Sequence, residues 1–116
     1  MGKKFAFIIS TPPYDRRSAF TGARIALASL LEDCKSTIIL MEDGVYSALA
    51  GQEPGQSFGT TEVLTDFLEM GGRLLICGNC IKHRGISDRD LIKGGEVIDL
   101  HKLLQTMVEA DQTIFF

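Results

Sequence analysis

The sequence predicts an α/β protein: a three-layer α/β/α sandwich with a mostly parallel five-stranded sheet, built as one domain over residues 1–116. Two observations carry that reading. Apolar runs such as Phe5-Ala6-Phe7-Ile8-Ile9 and Ile38-Ile39-Leu40 are continuous rather than alternating, the pattern of strands buried on both faces. Between them lie segments with apolar residues at helical spacing, and strands that alternate with helices imply a parallel sheet covered on both sides. A third observation sets the scale: 116 residues with 45% hydrophobic content suffice for one core and leave no room for a second domain.

Taken in order, residues 5–10 form the first strand, closed by Thr11-Pro12-Pro13 because proline cannot continue a ladder. A helix follows to about Glu32, capped by Asp15 or Ser18, with Ala19, Ala23, Ala26, Leu27, Leu30 and Leu31 on its inward face. Residues 36–41 give a second buried strand, and Glu42-Asp43-Gly44 turns into a short helical piece over 45–50. Residues 51–59 carry three glycines and a proline without periodicity and read as a long loop with few anchoring groups, more mobile than the sheet. Thr60 or Thr61 caps the next helix, whose stripe is Val63, Leu64, Phe67, Leu68 and Met70, ending at Gly71-Gly72. Strand three is 73–77. A short helix runs to about Arg84 with Gly85 as its terminator, and residues 86–95 suggest a second short helix capped by Ser87 or Asp88. Residues 96–99 form a short fourth strand. The helix over 100–110 points Leu103, Leu104, Met107 and Val108 inward, and 112–116 closes the sheet.

Composition removes several function classes. A net charge of −3 argues against nucleic acid as the main partner, since phosphate neutralisation needs a basic face. Apolar runs fall well short of the roughly 18 residues that a membrane span requires, and the amino terminus passes from Gly2-Lys3-Lys4 straight into a strand. A soluble, cytoplasmic protein is expected, with no membrane partner. Three cysteines, none in the first thirty residues, do not make a disulfide framework, so reduced thiols are the default. Neither G-x-G-x-x-G nor G-x-x-x-x-G-K-[ST] occurs, and no cofactor is called for.

The chemistry gathers at Leu74-Leu75-Ile76-Cys77-Gly78-Asn79-Cys80. A strand ending in Cys77 delivers a thiol to the carboxyl edge of the sheet, where ligands of open α/β folds are found. A helix beginning near Asn79 would aim free backbone N–H groups at that sulfur and favour its thiolate. Arg16 and Arg17, in the turn after strand one, would add positive potential on the same edge; the plain alternative is solvated surface charge. His83 is a candidate proton donor, although with Lys82 and Arg84 it also fits as a cation at a helix carboxyl end. Cys80 completes a C-x-x-C in which one thiol attacks and the other resolves, or else both cysteines are small buried residues of the core. A metal set of Cys77, Cys80, His83 and His101 is disfavoured, because structural zinc wants four closely arranged ligands and no second C-x-x-C exists.

Four segments in order carry a resemblance over essentially the whole chain. They are Pro12-Pro13-Tyr14 after the first strand, Leu40-Met41-Glu42-Asp43-Gly44-Val45, Cys77 followed by His83-Arg84-Gly85, and Ala110-Asp111 leading to Phe116. Together they resemble the DsrE/TusD family of small intracellular sulfur-relay proteins. The resemblance implies the sandwich fold, a persulfide carried at the Cys77 position, sulfur donor and acceptor proteins as partners, and trimers or hexamers of like domains. It leaves open whether the protein is a sulfurtransferase, a dithiol redox protein using Cys77 and Cys80, or a non-catalytic binding module. Phe58, Tyr46, Phe115 and Phe116 have no clear inward role and are candidates for contacts within a homo-oligomer.

Overall fold

The computed structural model describes residues 2–14, 17–55 and 59–116. Five strands, β1 (Lys4–Ile9), β2 (Lys35–Leu40), β3 (Arg73–Cys77), β4 (Gly95–Ile98) and β5 (Gln112–Phe115), form one sheet in the order β4-β3-β2-β1-β5. Every pairing is parallel, so the expected "mostly parallel" sheet is parallel throughout. Register follows from the apolar runs: Phe7 pairs with Ile38 and Ile9 with Leu40, while Ile38 pairs with Leu74 and Leu40 with Ile76.

Alternation along these strands divides two cores. Phe7, Ile9, Ile38, Leu40, Leu74 and Ile76 face α1 (Ser18–Leu31) and α2 (Thr60–Glu69), meeting Ala19, Ala23, Ala26, Leu64 and Phe67. Ala6, Ile8, Ile39, Leu75 and Ile98 face the other way and are covered by Leu103 and Met107 of α4 (Leu100–Glu109). The alanines of α1 bring its backbone close to the sheet, which is why two helices fit on the first face. Helix α4 is the crossover that carries the chain from β4, at one edge, to β5 at the other.

Several local expectations are corrected. Helix α1 begins after Arg17 with no side-chain cap; Ser18 is its first residue, and Asp15 lies outside the described residues. Helix α2 follows Gly59, with Thr60 buried in its first turn, while the Thr61 hydroxyl donates to the Ser47 carbonyl at 2.7 Å instead of capping. The helix expected over 86–95 shrinks to a 3-10 turn at Asp88–Asp90, although Ser87 does cap it. The competing interaction is backbone pairing: Leu91 bridges Leu49, the Ile92 N–H donates to the Ala48 carbonyl, and the Ala50 N–H donates to Asp90. On α4, Leu104 and Val108 are 58% and 75% exposed, and Thr106 takes the inward place, its hydroxyl bonded to the Lys102 carbonyl. Leu31 and Met70 are likewise exposed rather than inward. Phe116 packs against the first core, whereas Phe115 is exposed; Phe58 lies outside the described residues.

The start of the long loop is anchored, contrary to expectation. Gln52 Nε2 donates to the carbonyls of Tyr46 and Leu49 and to the Thr61 hydroxyl, while its Oε1 accepts from the Tyr14 hydroxyl at 2.6 Å. One amide side chain thereby ties together the turn after β1, the segment after β2 and the first turn of α2.

Candidate thiol site at the carboxyl edge

Strand β3 ends at Cys77, which leaves the ladder in an extended conformation and becomes the cap of α3 (Gly78–His83). Its Sγ accepts the Cys80 N–H at 3.3 Å, so a thiol stands where a serine or aspartate oxygen usually caps. Cys80 Sγ in turn accepts the Glu42 N–H at 3.1 Å, from the 3-10 helix Glu42–Ala48 that follows β2. Both cysteines are free, and both are buried, at 8% and 9% exposure. The expectation that Cys77 stands open at the sheet edge is therefore corrected: the sheet does deliver it there, but the turn after β2 and α3 close over it.

Burial pushes the Cys80 thiol above its usual range, because a thiolate loses hydration there. The hydrogen bond with the Cys77 side chain pushes the same way, and the Glu42 N–H works against both. Glu42 itself has φ +52°, left-handed backbone in a residue with a Cβ. Beside it, Arg84 just past α3 donates from Nε to Asp43 Oδ1 at 3.0 Å and from a terminal nitrogen to the Cys80 carbonyl at 3.2 Å. Its other terminal nitrogen lies 3.0 Å from Asp43 Oδ1 and 3.7 Å from Glu42 Oε2. Asp43 holds the Arg84 guanidinium in its charged form.

Of the residues singled out in the sequence, the fold brings Cys77 and Cys80 together. Asn79 is exposed on the first turn of α3 and His83 is exposed at its end; among the described residues neither is hydrogen-bonded to either sulfur. Arg17 is exposed at the start of α1, and Arg16 lies outside the described residues. Sequence reasoning quoted Glu42, Asp43 and Arg84 within resemblance segments but gave none of them a role beside the thiols, and saw Arg84 also as a helix-end cation. That role is real, since Arg84 does bond a carbonyl of α3, but it is joined by the ion pair across the chain. The available signal was the acidic pair at the end of an apolar strand together with an arginine one turn beyond the second cysteine.

Cavities lie elsewhere. A cleft of ≈ 410 Å³ opens at the amino edge of the sheet, among Lys4, Lys35, Arg73 and Glu109. Two smaller ones, ≈ 230 and ≈ 330 Å³, share Tyr14 and Gln52 near the carboxyl edge, the second lined also by Pro12, Pro13, Tyr46 and Leu49. Neither cysteine lines any of the three. Chemically the site is a pair of buried sulfurs, each accepting a backbone N–H, able to act as nucleophile and neighbour.

The sequence model of the DsrE/DsrF-like family matches residues 3–116. An uncharacterized protein of Methanocaldococcus jannaschii is 36% identical over 97% of this chain and 99% of its own length. The crystal structure of the YchN protein from Escherichia coli superposes with a TM-score of 0.89 at 31% identity, covering 100% of both chains. A TusC homolog from Vibrio parahaemolyticus is 23% identical over 97% of this chain and 98% of its own.

Proposed function

This chain belongs to the DsrE/DsrF-like family, and on that premise we propose that it is a sulfur carrier or sulfurtransferase in which Cys77 holds sulfane sulfur as a persulfide and Cys80 is auxiliary. The observation that carries the reading is the hydrogen bonding of the two sulfurs: the Cys80 N–H to Cys77 and the Glu42 N–H to Cys80. A backbone N–H aimed at a sulfur fixes where that sulfur sits and gives it a donor partner. Cys80, its thiol pushed up by burial, keeps its proton and serves as the neutral neighbour of Cys77.

The transfer balances without an outside oxidant. Cys77 thiolate attacks the terminal sulfur of a donor persulfide, R–S–SH; a new S–S bond forms to Cys77 as the donor's own S–S bond breaks, the terminal sulfur keeps its proton, and the donor leaves as the thiolate R–S⁻. An acceptor thiolate then attacks the terminal sulfur now on Cys77 and restores the Cys77 thiolate. Donor and acceptor are proteins in this reading, since a buried thiol without a pocket suits a docked surface that opens its cover. The mainly apolar cleft of Pro12, Pro13, Tyr14, Tyr46 and Leu49 offers such a surface near the same edge. Work in the cytoplasm fits the free thiols. A homo-oligomer, trimer or hexamer, is part of the proposal, supported by exposed Leu100, Leu104 and Val108 along α4 and by Phe115. A monomeric mass by light scattering at micromolar concentration would count against it.

A second reading has an observation of its own. Because Cys80 lies three residues from Cys77 with its backbone N–H on the Cys77 sulfur, its thiolate can attack the inner sulfur of a Cys77 persulfide, closing a Cys77–Cys80 disulfide and expelling hydrosulfide. The deciding experiment loads the parent protein, Cys77→Ser and Cys80→Ser with a persulfide donor and weighs each intact. Gain of one sulfur should vanish in Cys77→Ser and persist in Cys80→Ser. Retention by Cys77→Ser would overturn the assignment, loss of two hydrogens in the parent alone would favour the dithiol, and no uptake by the parent would favour a binding module with structural cysteines.

A further inference from the structure

The residue whose N–H meets the Cys80 sulfur, Glu42, adopts φ +52°, a conformation that a side chain with a Cβ disfavours. Something outside the turn has to hold it. Among the described residues the polar side chain that grips this turn is Arg84: it bonds Asp43 through two nitrogens, approaches Glu42 Oε2, and with its remaining nitrogen bonds the Cys80 carbonyl. The Arg84 side chain is 21% exposed, whereas the Glu42 and Asp43 side chains are 62% and 55% exposed, so the arginine is the sheltered member of the cluster. A planar fork can serve a carbonyl and a carboxylate at once; an ammonium of equal charge cannot hold the same geometry.

We propose that Arg84 is a positioning residue for Cys80: by clamping Glu42 and Asp43 onto the end of α3 it keeps the Glu42 N–H on the Cys80 sulfur and sets how readily that thiol ionises. The charged and titratable groups around Cys80 are Cys77 from β3, Glu42 and Asp43 from the turn after β2, and Arg84, with Lys82 and His83 exposed on α3 itself. The inference deepens the assignment of Cys80 as the auxiliary thiol. Its test reads alkylation rather than sulfur uptake, so either can fail without the other.

The experiment follows iodoacetamide alkylation of Cys80 in the full chain across roughly pH 6–11, a range that brackets thiol ionisation. Fragment ions of the tryptic peptide from Leu74 to Lys82 separate Cys80 from Cys77. Arg84→Gln should move the Cys80 midpoint upward by about half a pH unit, roughly threefold slower reaction below the midpoint, because the N–H that favours the anion is released. Arg84→Lys keeps the charge and should not restore the parent profile. Asp43→Asn is the decisive variant, since losing a carboxylate would by charge alone lower the midpoint, whereas loss of the clamp raises it. An unchanged midpoint in Arg84→Gln, full restoration by Arg84→Lys, or a lowered midpoint in Asp43→Asn would each overturn the proposal.

Discussion

The two edges of the sheet differ in what they offer. At the carboxyl edge two thiols sit beneath a tight turn, each hydrogen-bonded to a backbone N–H. At the amino edge the first residues of three strands, Lys4, Lys35 and Arg73, surround an open cleft of ≈ 410 Å³ that holds no cysteine side chain. This cleft and the reactive groups are thus at opposite ends of the same strands. A small-molecule enzyme usually joins the two. Their separation agrees with the proposed transfer between docked proteins, in which the second protein completes the site.

Matched substitutions test that contrast. The largest effect is expected for Gly44→Ala at the carboxyl edge, where an added Cβ would overlap the Ile9 carbonyl oxygen. The turn must move, at a cost of about 3 kcal/mol, and chemical denaturation should show that loss together with faster alkylation of both buried thiols. At the amino edge Gly71→Ala meets nothing within 4 Å, and the strain comes only from its φ of +94°. Its cost should be about 1–2 kcal/mol with thiol alkylation unchanged. If Gly71→Ala exposes the cysteines as much as Gly44→Ala does, the two edges are not independent.

Smaller effects sharpen the picture. Lys4 and Lys35 are directly paired across β1 and β2, and like charges facing one another in a sheet are unfavourable. Lys35→Glu should stabilise by about 0.2–1 kcal/mol at low salt, a gain that disappears in concentrated salt. The smallest effect at neutral pH belongs to Cys80. Its folded state binds the proton more tightly than the unfolded chain, so that contribution is complete below the ordinary thiol value of 9.0 and fades as pH rises through the raised folded value. The denaturation midpoint of the parent should therefore fall more steeply above about pH 9 than that of Cys80→Ala, with no difference in slope near neutrality. Parallel slopes throughout would show that Cys80 ionises alike in both states.

The strands were legible almost to the residue, because runs such as Phe5 to Ile9 and Leu74 to Cys77 bury both faces and leave little choice of period. Helix caps were not: Thr61 looks like a cap, yet its hydroxyl is taken by Ser47, whose position depends on the segment after β2. The outward face of α4 was misread for a related reason. Leu104 and Val108 fit helical spacing as well as Leu103 and Met107 do, and the sheet has width for one stripe only.

The sequence by itself determined the alternation of strands and helices, the arrival of Cys77 at the end of β3, and the C-x-x-C that lets the Cys80 N–H cap it three residues on. These depend on local spacing, which the chain carries with it wherever it folds. Only the tertiary structure decided that Glu42 would meet Cys80, 38 residues away, and that Arg84 would reach Asp43 across 41. Those contacts exist because β2 and β3 are neighbours in parallel register, so that the segments leaving their carboxyl ends emerge side by side. Burial of the thiols follows from the same adjacency: a cysteine at the end of a lone strand would be open to water, and here the neighbouring strand's exit turn covers it.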